Sequence, residues 1–231
     1  MRNILTILLS LAFYSSTCQH LIVTNEWLLG QIDYAKDVRF KTIPQNYASK
    51  ENLQLYSTVL DSLIKMIQTA KKEGIELKVI SAVRSFEKQR QIWNSKYNER
   101  TAKFQNDFDI ASDILKYSSM PGTSRHHWGT DIDINSLSPT YFSSGQGKKE
   151  YDWLCKNAKR FGFYQPYSSD STRTGYQPEP WHWSFYPIAG PLLEAYNQNI
   201  SYSHLVGFKG SAEASKIDVI KNFVNGIAVS P

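Results

Sequence analysis

Cysteine is nearly missing: Cys18 and Cys155 are the only two in 231 residues. That excludes a disulfide framework, which small oxidised domains build from several closely spaced pairs. Cys18 closes an apolar opening segment. Cys155 falls on the apolar side of an expected helix and reads as a buried thiol. Neither reads as a metal ligand. No basic run has the density expected of a nucleic-acid binder, although the formal charge is +5; a mild positive charge instead favours an anionic surface. The apolar stretch from Ile4 to Tyr14 is too short to span a bilayer. Repeats, low-complexity runs and an interdomain linker are absent. Residues 19–231 therefore read as one domain, long enough to bury a full core.

What is present is ordinary in bulk and unusual in detail. Apolar content of 41% and charged content of 20% suit a globular chain. Tyrosine (14) and tryptophan (6) are plentiful, which suits a groove for a polar polymer as well as plain packing. Arg2 and the apolar run behind it, ending at Ser15-Ser16-Thr17-Cys18, read as an export signal over residues 1–18. Lipidation of Cys18 and simple cleavage beside it are both open. Either places the mature chain outside the cytoplasm, in the periplasm or cell envelope.

The element pattern is mixed. Trp27 to Tyr47 reads as extended chain and loops lying over the core. Leu53, Tyr56, Leu60, Leu63, Ile64 and Ile67 recur at helical spacing and predict a helix from Lys50 to Glu73, capped by Ser49 and stopped by Gly74. Glu76 to Val83 reads as a strand that delivers Arg84 at its exit. Ser85 then caps a helix from Phe86 to about Arg100, with Gln89 one turn in. Thr101 to Tyr117 reads as a further helical region, Ser136 to Lys149 as a flexible crossing, and Lys149 to Phe161 as a helix with Leu154, Cys155, Ala158 and Phe161 inward. Glu179 to Phe185 reads as a short strand that Pro180 interrupts. Ile188–Asn197 and Ser211–Val224 read as closing helices.

The chemistry concentrates in two stretches. Three of the five histidines lie in Ser124-Arg125-His126-His127-Trp128-Gly129-Thr130-Asp131-Ile132-Asp133-Ile134-Asn135 and in Glu179-Pro180-Trp181-His182-Trp183. A hydrolytic zinc site takes three ligands from His, Asp and Glu and leaves a fourth position for water, with a separate carboxylate to move protons. Residues 130–135 alternate as a strand with Ile132 and Ile134 inward. Asp131 and Asp133 then share the other face, and alternation alone does not choose between them as ligand. His127 reads as a packing or supporting residue. A calcium loop starting at Asp131 is excluded, because Ser136 and Phe142 stand where Gly and Glu are required.

Ser124-x-His126-x-x-Gly129-x-Asp131-x-Asp133 resembles the S-x-H-x-x-G-x-A-x-D signature of peptidase family M15, the zinc D-alanyl-D-alanine carboxypeptidases of the VanY type. Glu179-x-Trp181-His182-Trp183 resembles that family's E-x-W-H segment, and Ser81-Ala82-Val83-Arg84-Ser85 with Gln89 its S-x-x-R-S-x-x-x-Q segment. The resemblance implies an α+β hedgehog/DD-peptidase-like fold, a small mostly antiparallel sheet flanked by helices. It implies zinc held by His126, Asp133 and His182, Glu179 as base, Arg84 on the substrate carbonyl and developing oxyanion, and Ser124 and Gln89 toward substrate. The expected partner is the stem peptide of peptidoglycan. Asp131 departs from the pattern, which has alanine there. An endopeptidase with the same chemistry and a non-catalytic zinc-containing wall-binding lipoprotein are the rival readings.

Overall fold

The computed structural model describes residues 22–228. The expected export signal over residues 1–18, with Cys18 at its end, lies outside the described residues. No described helix is long and apolar enough to cross a membrane.

In chain order the elements are α1 (Asn25–Leu28), β1 (Phe40–Thr42), β2 (Gln54–Tyr56), α2 (Ser57–Lys72), β3 (Val79–Ser81), α3 (Phe86–Arg100), α4 (Asp107–Leu115), β4 (Asp131–Ile134), α5 (Gly145–Asn157), β5 (Phe163–Tyr164), β6 (His182–Phe185), α6 (Tyr186–Asn199) and α7 (Glu213–Lys216). β1 and β2 form a small antiparallel ribbon. The main sheet is antiparallel, in the order β3-β4-β6-β5. This is the small antiparallel sheet with flanking helices expected from the resemblance.

The core lies in two clusters. Ile132 and Ile134 of β4 and Trp183 and Phe185 of β6 pack with Leu63, Met66 and Ile67 of α2. Trp27, Trp93, Trp128 and Tyr196 gather beside them with α3, α4 and α6. Trp27 is wholly buried and donates from its indole to the Trp128 carbonyl at 3.3 Å. The segment around it is thus core, with a helical turn, rather than extended chain over a core.

Several expected boundaries move. The long helix starts at Ser57, not Lys50, because Gln54–Tyr56 pairs with Phe40–Thr42. The Tyr56 and Ser57 amides go to the carbonyls of Gly129 and Arg39, so tertiary partners replace the expected Ser49 cap. The crossing from Ser136 is ordered by a 3-10 turn at Pro139–Ser143 and by α5, which begins at Gly145. Trp153 and Leu154 take the buried face of α5 and leave Cys155 exposed, so it is not a buried thiol. The closing helix is broken at Asp218, with φ of 55°, into α7 and a π-turn over Ile220–Val224.

Gly129 is the turn on which the site depends. Its φ is 73°, and a Cβ there would sit 2.5 Å from Phe40 Cε1 and 3.1 Å from the Tyr56 amide nitrogen. Left-handed backbone costs an L-residue roughly 1–2 kcal/mol, and overpacking adds about 1–3 kcal/mol. Gly129→Ala is therefore expected to lower unfolding free energy by at least ~2 kcal/mol in urea titration; an unchanged midpoint would refute this account of the turn.

Candidate metal centre

Strand pairing builds most of the site. In the β4–β6 register Asp133 faces His182 and Asp131 faces Ser184, while Ile132 and Trp183 pair on the core side. Directly opposed residues have Cβ atoms about 4.5–5.5 Å apart. The sheet thus sets Asp133 and His182 side by side without help from any loop. The residues between Glu179 and His182 form a turn, with the His182 amide donating to the Glu179 carbonyl at 3.1 Å. This turn, at Pro180, lets Glu179 and His182 face the same cleft.

His126 arrives from a 3-10 turn, Arg125–Trp128, that ends at Gly129. Its Nδ1 lies 2.8 Å from the Ala82 carbonyl. A carbonyl only accepts, so Nδ1 carries the proton and Nε2 presents its lone pair. Nε2 lies 3.4 Å from Asp133 Oδ2. His182 uses its other nitrogen as the support: Nε2 is 2.8 Å from Asp131 Oδ2, and Nδ1 is 3.1 Å from Asp133 Oδ1 and 3.6 Å from Glu179 Oε2. One donor atom from each of His126, Asp133 and His182 lies within 4.8 Å of the others, and all three residues are buried. Two imidazoles and a carboxylate suit a divalent ion with an open fourth position, and bonds of about 2.0–2.2 Å bring such donors around one ion after small side-chain shifts. The choice between the aspartates is thereby made in space: Asp133 joins the cluster, and Asp131 stands behind His182.

Asp131 does more than hold a ring. It is fully buried, and Arg125, also buried, donates Nε to its Oδ2 at 3.0 Å. Thr130 Oγ1 and Ser184 Oγ donate to its Oδ1 at 2.6 and 2.8 Å. Arg125 also reaches Ser184 Oγ and the Tyr164 hydroxyl. The outcome is a chain of buried polar contacts from Arg125 through Asp131 to His182, of the kind that fixes a ligand's tautomer and orientation.

The electrostatics follow the geometry. Burial works against charge on His182, but its hydrogen bonds to Asp131 and Asp133 win and raise its pKa to about 9. Burial pulls His126 down. Burial would raise both aspartates, yet Arg125 and His182 hold Asp131 low, and His126 and His182 hold Asp133 low. Burial pushes Glu179 up to about 7, against the pull of His182.

The remaining expected residues fall around a cleft of about 470 Å³. Arg84 and Ser124 line it. Arg84 gives Nη1 to Gln89 Oε1 at 2.9 Å and Nη2 to Ser81 Oγ at 3.0 Å, and lies 3.9 Å from Asp133. Gln89 is fully buried, with its amide nitrogen bound to the Ser119 carbonyl; it orients Arg84 and does not line the cleft. Ser85 caps α3 as expected, accepting from the Lys88 amide. His127 is wholly buried, bridged by the Arg84 carbonyl and the Gly122 amide, and burial drives its pKa down to about 3. Sequence reasoning missed Tyr167, whose ring centroid lies 4.7 Å from that of His182, and Lys96, which lines the cleft from α3. Tyr167 sits in a polar loop that carries no pattern. Lys96 had a usable signal, seven residues after Gln89 on one helix.

The chain is similar to known proteins. The VanY D-alanyl-D-alanine carboxypeptidase family matches residues 52–188. The D-alanyl-D-alanine carboxypeptidase of Enterococcus faecalis is 33% identical over 136 residues, covering 58% of this chain and 49% of that protein. VanYB in complex with D-alanine-D-alanine is 26% identical, with a TM-score of 0.54 over 75% of this chain and 90% of that one. A Zn(II) complex of a variant of the vancomycin resistance D,D-pentapeptidase VanY is 26% identical, with a TM-score of 0.51 over 72% and 94%. The chain spans about half the length of the curated relatives it matches.

Proposed function

Since the chain belongs to the VanY D-alanyl-D-alanine carboxypeptidase family, we propose that it is a zinc-dependent D,D-carboxypeptidase acting on the stem peptides of peptidoglycan. The observation that carries this reading is the convergence of His126, Asp133 and His182 beside the buried Glu179 in one cleft. His126 through Nε2, Asp133 through its carboxylate and His182 through Nδ1 would hold the ion. When bound, zinc supplies Lewis acidity, polarising a carbonyl and bringing the pKa of a water to about 7.

The chain's own groups account for the rest. Glu179 Oε2 accepts the proton of the attacking water and returns it to the leaving nitrogen; a carboxyl with a pKa near 7 is matched to both tasks. Arg84, fixed by Gln89 and Ser81, donates to the substrate carbonyl oxygen as negative charge develops there. Tyr167 and Trp181 wall the cleft with buried rings and keep solvent from the reacting groups. Ser124 offers a hydroxyl to the peptide backbone. The apolar start, Arg2 and Ile4–Tyr14, supports action outside the cytoplasm, in the envelope where such peptides lie.

Digestion of purified muropeptides tests the reading. Zinc-loaded protein is expected to release free D-alanine, and removal of the ion with a chelator to stop release until zinc is restored. Fragments cut within the cross-link and no D-alanine would instead favour the endopeptidase. No cleavage with zinc bound would favour a wall-binding role.

A further inference from the structure

Arg84 is assigned above to the substrate carbonyl, which leaves a charged substrate terminus to another group. Its guanidinium is already engaged by Gln89 and Ser81 and stands 3.9 Å from Asp133. A second cation shares the cleft. Gln89, Ile92 and Lys96 fall at steps of three and four on α3, so they share one face of that helix. The first holds Arg84; the other two line the cleft. Lys96 is roughly 10 Å further along the axis than Gln89, at 1.5 Å per residue. Helical Cα–Cβ bonds lean toward the N-terminus, so its side chain tilts back toward Arg84. The electrostatics agree with that placement. Burial lowers the pKa of the ammonium, Arg100 and Arg84 lower it further, and Glu179 acts in the opposite sense.

Among the described residues no acid forms an ion pair with this cation, and Glu179 and Glu99 attract it only from beyond that distance. Glu99, three residues on, points to Arg100 at 4.0 Å, and Arg100 pairs with Asp113 at 2.7 Å. Lys116, Lys148 and Lys216 each meet an acid on their own or an adjoining turn. Among the described residues, no carboxylate oxygen lies within the 4.0 Å of an ion pair from Lys96 Nζ. A half-buried ammonium without a counter-ion is costly, and the cost is relieved when an anion enters.

We propose that Lys96 binds the C-terminal α-carboxylate of the substrate peptide and so makes the cleft selective for a chain end. This rests on the hydrolytic reading above. In a peptide cut at its last bond, the carboxylate lies one carbon beyond the leaving nitrogen. Arg84 faces the carbonyl on one side of that bond, and Lys96 faces the charge on the other. A chain that continues as an amide or cross-link brings no charge to Lys96 and leaves it half-buried and unpaired, which selects against internal cleavage.

The test compares two substrates on zinc-loaded protein: a stem peptide ending in free D-alanyl-D-alanine, and the same peptide as its C-terminal amide. Wild type is expected to favour the acid strongly in kcat/KM. Lys96→Met is expected to cut that acid-to-amide ratio about ten- to hundred-fold, mainly through KM, as loss of a charged hydrogen bond does. Lys96→Arg is expected to restore most of the ratio, which a merely structural lysine would not require. An unchanged ratio in Lys96→Met, or a wild type indifferent to the amide, would overturn the proposal while leaving hydrolysis intact. If zinc-loaded wild type cleaves neither peptide, the hydrolytic reading fails and this one with it.

Discussion

Glu179→Ala is expected to reduce kcat on a D-alanyl-D-alanine peptide by about 10²–10⁴, the usual contribution of a positioned acid–base group, while the protein still binds one zinc. The two outcomes separate because the two roles sit on different atoms. The donor cluster is His126, Asp133 and His182, and Glu179 is outside it. Its Oε2 nevertheless lies 3.6 Å from His182 Nδ1, close enough to meet a water held beside that nitrogen. The residue is buried in the cleft wall, and that burial raises its pKa. Among the described residues no other carboxylate at the cleft could take over. Asp133 belongs to the donor cluster, and Asp131 is turned away, closed in by Arg125, Thr130 and Ser184. Glu179→Gln keeps the shape and removes the base, so it should fall as far as the alanine variant. Steady-state kinetics and metal analysis on the same samples decide. Cleavage near the wild-type rate would remove Glu179 from the mechanism. Loss of zinc together with cleavage would make it a ligand instead.

Much of this site is legible in the sequence, and the reasons are local. Period-two alternation over residues 130–135 gave β4, because its inward isoleucines have no other use. The pattern Ser85 before a helix gave α3 and its cap. What escaped reading depends on partners distant in sequence. Leu53 and Tyr56 keep helical spacing with Leu60 and Leu63, yet their segment is drawn into a ribbon by Phe40–Thr42 and by the Gly129 carbonyl. Ile217, Ile220 and Val224 keep helical spacing across a break at Asp218 that spacing does not register. Asp131 and Asp133 lie on one face of one strand and have equal reach. The ring orientation of His182, with Nε2 toward one and Nδ1 toward the other, and the approach of His126 to Asp133 distinguish them. That orientation is a product of the cross-strand register and of Arg125, which stands at an unspecified position between Ser124 and His126.

Arg125→Met is expected to be the most damaging substitution for stability, lowering unfolding free energy by about 3–5 kcal/mol, the usual cost of breaking one side of a buried ion pair. Asp131 is 0% exposed and the Arg125 side chain 1% exposed, so water cannot replace the lost cation. Thr130 and Ser184 would still donate to Oδ1, but the charge on the carboxylate would remain uncompensated except by His182. Removing both charges should hurt less than removing one. The double variant Arg125→Met with Asp131→Ala leaves no buried carboxylate to desolvate, and paired replacement of such ions is often near neutral. The zinc site should respond in the opposite order. Asp131→Ala and the double variant both deprive His182 Nε2 of its acceptor, so both are expected to bind zinc about 10–100-fold more weakly. Urea denaturation and a competitive zinc titration measure the two effects separately. Equal stability for Arg125→Met and wild type would show that the pair carries no net charge cost. Wild-type zinc affinity in Asp131→Ala would show that His182 holds its orientation without this carboxylate.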